Sequence, residues 1–150
     1  MSPIKIDTLG VRYGLYTAAA LIGYFLLMQL VGLAYILELR LFNLLIVIGG
    51  IVLALDRYRS VTNEHMEYLT GYGIGSSLTV VAVGIFTLFL GFYLSFDHAF
   101  MQHIKDTALM GSYLDPSTAA FAVLGEGLSS GVIGSFALMQ WYKRYTPQTD

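Results

Sequence analysis

Residues 119–141 read AAFAVLGEGLSSGVIGSFALMQW, and this stretch decides the class of fold. At 1.5 Å per residue it covers roughly 34 Å as a helix, enough to cross a hydrocarbon core of about 30 Å. Its single formal charge is Glu126. A charged carboxylate at mid-bilayer costs about 2.5–3.5 kcal/mol on insertion scales, so the residue asks for a partner, a proton or a shallow position. Around it, Gly127 and Gly131 form a GxxxG pair, while Ser130 with Gly134 and Gly131 with Ser135 repeat the small-xxx-small spacing. Such a flat face lets another helix backbone approach closely, which lipid alone would not require.

Working outward, Trp141, Tyr142, Lys143 and Arg144 form an aromatic and basic anchor of the kind that sits at the membrane surface. The polar tail beyond it is expected to be mobile. On the other side, Asp115 followed by Pro116 is a helix start: an N-cap and a proline at the first helical position. The span is therefore expected over about residues 118–142.

The rest of the chain has the same character. Of its 150 residues 56% are hydrophobic and 12% charged, against roughly 25% charged in an ordinary soluble domain, too few to cover a water-exposed surface. Its net charge of -2 points to no nucleic-acid partner. The absence of cysteine removes disulfides, thiolate metal sites and cysteine nucleophiles.

Three further spans are expected, at about residues 13–35, 38–57 and 75–96. The first contains Gly14 and Ala18 and the second Gly49 and Gly50, again small residues suited to close helix contact. It is too long for a signal-peptide core and lacks a clear cleavage site, so it is expected to be permanent. Glu38 and Arg40 mark a tight turn, and Asn63 is the expected cap of the segment leading to the third span. Gly71, Gly73 and Gly75 predict a kink or a close approach there. Phe96, Phe100, Ile104 and Ala108 recur every fourth residue opposite His98, Gln102, Lys105 and Asp106, the pattern of a helix lying in the interface and ended by Gly111.

With four spans, Lys5, Arg12, Arg57, Arg59, Lys143 and Arg144 share one side and only Arg40 and Lys105 the other. The positive-inside rule then makes both termini cytoplasmic. The expected fold is all-α: one membrane domain over residues 1–150, a four-transmembrane-helix bundle with short interfacial helices.

An Arg12-Tyr13-Gly14 start to the first span, Gly71 to Gly75 (GYGIG) opening the third, an amphipathic outer segment and a final GVIGSFALMQWYKR over residues 131–144 together resemble the domain-of-unknown-function 4199 family of bacterial four-span membrane proteins. The Asp115-Pro116 pair departs from that pattern, in which such a pair is expected nearer the end of the third span. The resemblance implies a multi-pass protein of the bacterial cytoplasmic (inner) membrane and carries over no catalytic residue.

Candidate sites are few. Counted from Phe121, Glu126 lies about 7–8 Å inside the apolar run, leaning toward the outer surface. It can be hydrogen-bonded and partly wet there, paired with a neighbour, or a titrating carboxylate. His98, His103 and Asp106, with Asp97, are metal-ligand types, but His98 and His103 fall roughly 140° apart on a helix, so a solvated polar face accounts for them and no metal is expected. His65 reads as ordinary loop chemistry. GYGIG has no preceding strand or following lysine and is not a phosphate loop. Neither an enzyme nor a cofactor is expected. The residue pattern points first to a non-catalytic accessory or scaffold subunit. Its small-residue faces would pack on other integral membrane proteins or on copies of itself, among lipids. An oligomeric small transporter or channel component using Glu126 is the alternative from another class, and an outer-face metal-binding sensor or enzyme a third.

Overall fold

The structure, a computed structural model, describes residues 6–34, 41–62 and 67–143. Among these residues every regular element is helical: α1 (Ile6–Val31), α2 (Leu41–Thr62), α3 (Tyr68–Phe96), α4 (His98–Thr107), a 3₁₀ turn (Gly111–Tyr113) and α5 (Pro116–Lys143). Four of them, α1, α2, α3 and α5, are long and apolar enough to cross a membrane. The helical form is what hydrocarbon demands, because backbone N–H and C=O groups there must be satisfied within the segment. The Glu38–Arg40 turn, the Asn63 cap, His65 and the C-terminal tail lie outside the described residues.

Several boundaries move from their expected places. The first helix begins at Ile6 rather than near residue 13 and stops at Val31, where Gly32 takes φ +74° and the Leu33 N–H donates to the Met28 carbonyl at 2.9 Å. A left-handed glycine with such a backward bond is a common helix stop. The second extends to Thr62, carrying Asp56, Arg57 and Arg59 within the helix. The third starts at Tyr68 rather than near residue 75, so the three glycines lie inside one helical element, and the close approach is found at Gly75, which Ser135 and Ile51 meet. Each glycine weakens a helix by about 1 kcal/mol relative to alanine; close packing at Gly71 and Gly75, both buried, compensates.

The helix around which the bundle is built is α3. It lies between α1 and α5, with α2 closing against all three, and 44% of its most apolar 18-residue stretch is buried against 11% for that of α5. Its partnership with α5 is an antiparallel zipper. Ser135 of α5 sits on Gly75, Thr79 of α3 sits on Gly131, Val83 sits on Gly127, and Ala120 sits on Gly91. The two polar members are tied down: Thr79 donates to the Gly75 carbonyl and Ser135 to the Gly131 carbonyl, each at 2.8 Å. Each hydroxyl is thus satisfied on its own helix, leaving the rest of the side chain to fill the facing glycine notch. On the other side of α3, Gly14 of α1 meets Val81 and the Leu78 carbonyl, and Gly50 of α2 meets Thr17 of α1.

α4 folds back on the end of α3. Phe100 and Met101 are buried and Ile104 half-buried, while Phe96 and Ala108 are exposed. The contacting stripe therefore follows the 3.6-residue period (97, 100, 101, 104) and not the every-fourth-residue set read from the sequence. Phe25 of α1 meets Tyr93 and Phe100 edge-on, with ring centres 5.1 and 5.8 Å apart. Helix α4 ends at Thr107, and Gly111 packs against the Lys105 carbonyl where a side chain could not fit.

Asp115 caps α5 as expected: the Thr118 N–H and hydroxyl both donate to its Oδ1, at 2.7 and 2.6 Å. The Thr118 side-chain bond, then its backbone bond, hold the carboxyl below its ordinary value of 3.8. A group depressed in the folded state stabilises it above the ordinary pKa, and that contribution is lost as pH falls through the lowered one. Asp115→Ala is expected to lower the melting temperature at neutral pH. The deficit should vanish at a pH below the lowered pKa, and a melting series down to about pH 2 checks it. An unchanged deficit across the series would contradict the charge-assisted cap.

Candidate functional site

The feature with the character of a site is a cleft of about 350 Å³ between α2 and α5. Its floor comes from all four spanning helices, including Leu21, Val47, Val83 and Phe86, which are 2–5% exposed. Its walls bring together Asn43 of α2 and Glu126 with Ser130 of α5, one helical turn apart and so on one face. Leu41 and Glu126 are exposed and form its lip. The Asn43 Oδ1 is out of contact with solvent and has no hydrogen-bond partner among the described residues, a state that costs about 1–3 kcal/mol.

α5 begins at Pro116, so Glu126 lies about 15 Å along the helix from its start. Its neighbour Gly127 faces Val83, near the middle of α3.

Several of the small residues read as helix-packing face other helices of this chain. A side-chain carbon at Gly127 would come within 2.6 Å of Val83 Cγ1, and one at Gly131 would overlap Thr79. Ser135, Gly14, Ala18 and Gly50 are likewise turned to neighbouring helices, and Gly134 approaches Ile48. Ser130 lines the cleft, and Gly49 has open space around it. A separate small-residue strip, Ala122, Gly125 and Ser129, lies on the exposed face of α5 beside Glu126, between exposed Phe121 and Ile133.

The histidines and carboxylates of and around α4 do not converge. Among the described residues there is no group of three His, Cys, Asp or Glu that could hold a metal ion. His98 and His103 are exposed, and Asp106 accepts from Gln102 Nε2 at 3.1 Å. Asp97 is an N-cap: its Oδ1 accepts from the Phe100 N–H at 3.0 Å, and its Oδ2 from the Tyr93 hydroxyl at 3.0 Å and Gln29 Nε2 at 3.4 Å. An aspartate directly before an amphipathic stretch is itself a cap signal. Asn43, the polar residue in the apolar run of α2, was the other legible signal. Comparison with known proteins finds no matching family model, no matching curated protein and no matching solved structure.

Proposed function

We propose that this chain is a non-catalytic accessory or scaffold subunit of the bacterial cytoplasmic membrane, with both termini cytoplasmic. It docks on another integral membrane protein, or on a second copy, through the outward face of α5. The observation that carries the reading is that the most apolar 18-residue stretch of α5 is only 11% buried, and that α5 keeps a flat exposed strip at Ala122, Gly125 and Ser129 beside a carboxylate. Close approach of a second backbone is what small residues permit in a bilayer. The GxxxG face proper is occupied by α3, so the docking face is the one on the opposite side of α5, about half a turn away.

The natural chain has no cysteine, which makes the test clean. Single cysteines at Ala122, Gly125 and Ser129 should cross-link in native membranes, whereas cysteines at lipid-facing Leu88 and Phe92 of α3 should not. Uniform failure to cross-link, with a monomeric mass in mild detergent, would eliminate the reading.

A further inference from the structure

We propose that the corner where α2 ends beside α5 binds the phosphate of one anionic phospholipid, with Arg59 as the anchoring cation and Tyr142 as the residue that keeps it available. The inference uses neither the cleft nor the docking face of α5, so cross-linking through that face can fail without touching it.

Asp56 and Arg59 are three residues apart on α2, a spacing at which opposite charges on a helix attract and pair. Here Tyr142 of α5 engages both. Its hydroxyl donates to Asp56 Oδ1 at 2.8 Å, and the Arg59 guanidinium lies over its ring, 5.4 Å from the centre. The carboxylate is thus held by a neutral donor. Contact with a ring face consumes none of the five N–H donors of the guanidinium, and Arg59 is exposed. An arginine steadied on a ring in this way is arranged to fork onto a phosphate, because its planar donors match two oxygens at once.

Depth selects the source of that phosphate. Arg59 lies in the last turn of α2 and Tyr142 next to the last residue of α5, both of them spanning helices, and Trp141 is 60% exposed. Tryptophan and tyrosine at a span end sit at headgroup level, where lipid phosphates are abundant. Charge then selects the class of lipid. On these two helix ends Arg57, Arg59 and Lys143 stand against Asp56 alone, and Arg57 is exposed like Arg59. A phosphate without an ammonium of its own complements this corner better than the internally neutralised head of phosphatidylcholine. Arg57 projects about 160° from Arg59 around α2, so it adds to the local field and not to the same contact.

The test titrates dioleoyl phosphatidylglycerol into the full-length chain in neutral detergent and counts bound lipid by native mass spectrometry, with dioleoyl phosphatidylcholine as the zwitterionic arm. One phosphatidylglycerol is expected to bind about tenfold more tightly than phosphatidylcholine, and Arg59→Gln should erase most of that preference, as loss of a charge-assisted contact implies. Arg57→Gln should weaken binding less. Tyr142→Phe keeps the ring but releases Asp56 to close on Arg59, so binding should weaken by about twofold. Adding Asp56→Asn should restore it, a rescue that a merely structural tyrosine would not show. Asp56→Asn alone still accepts the Tyr142 bond and should tighten binding by about twofold, which tests the same charge balance with the arginine in place. Equal binding of the two lipids, Arg57→Gln as damaging as Arg59→Gln, no gain from Asp56→Asn, a Tyr142→Phe defect that Asp56→Asn leaves in place, or displacement of the lipid by an equal concentration of inorganic phosphate would overturn the proposal.

Discussion

Gly131→Leu is expected to destroy the bundle, whereas Gly49→Leu, the same change on a neighbouring span, should be harmless. At Gly131 even a methyl group would overlap the side chain of Thr79. Thr79 is completely buried and bonded to the Gly75 carbonyl, so it has nowhere to turn. Overpacking of a tight core costs about 1–3 kcal/mol and occasionally more. A leucine in a notch shaped for hydrogen belongs at the upper end, because α3 and α5 must separate along the whole zipper from Gly75–Ser135 to Gly91–Ala120. At Gly49 nothing lies within 4 Å, and the substitution improves helix propensity by up to about 1 kcal/mol. Reversible unfolding in mixed micelles, followed by circular dichroism, distinguishes the two. Equal stabilities for the two variants would mean that the α3–α5 contact is not the seam that holds the fold.

Asp97→Ala should have the next largest effect, a loss of about 2–3 kcal/mol concentrated at the end of the bundle where α1, α3 and α4 meet. Removing an N-cap costs about 1 kcal/mol, and a hydrogen bond to a charged group contributes about 1.5–3 kcal/mol, not fully additive with it. The Tyr93 bond at 3.0 Å carries most of that second contribution; the 3.4 Å contact from Gln29 is long and adds least. Asp97→Asn keeps a good capping group and should cost less than about 1 kcal/mol. Hydrogen exchange of the α4 amides reports the effect directly: protection of residues 101–107 should collapse in the alanine variant and persist in the asparagine one. Unchanged protection in Asp97→Ala would show that Phe100 and Met101 hold α4 by burial alone.

Much of this molecule is legible along the chain. Hydropathy accumulates residue by residue, and the bilayer admits a long apolar segment only as a helix or a closed barrel, so four spans followed from composition and run length. The Asp115–Pro116 start of α5 was equally plain, because a cap bonds to a backbone N–H three residues away and needs nothing distant. The glycines of residues 71–75 left two readings open, a kink or a close approach, and the fold chose the second: Ser135, sixty residues on, meets Gly75.

What tertiary structure alone decided was the allocation of faces. GxxxG spacing at Gly127 and Gly131 states that a backbone comes close, and is silent on whose backbone it is. The register between α3 and α5 assigned that face to the chain's own third helix, left the Ala122–Gly125–Ser129 face outward, and brought Asn43 of α2 to the cleft that Glu126 borders. Helix formation is set by groups a few residues apart, whereas the pairing of faces depends on how several rigid helices share space at once, and only the assembled bundle contains that information.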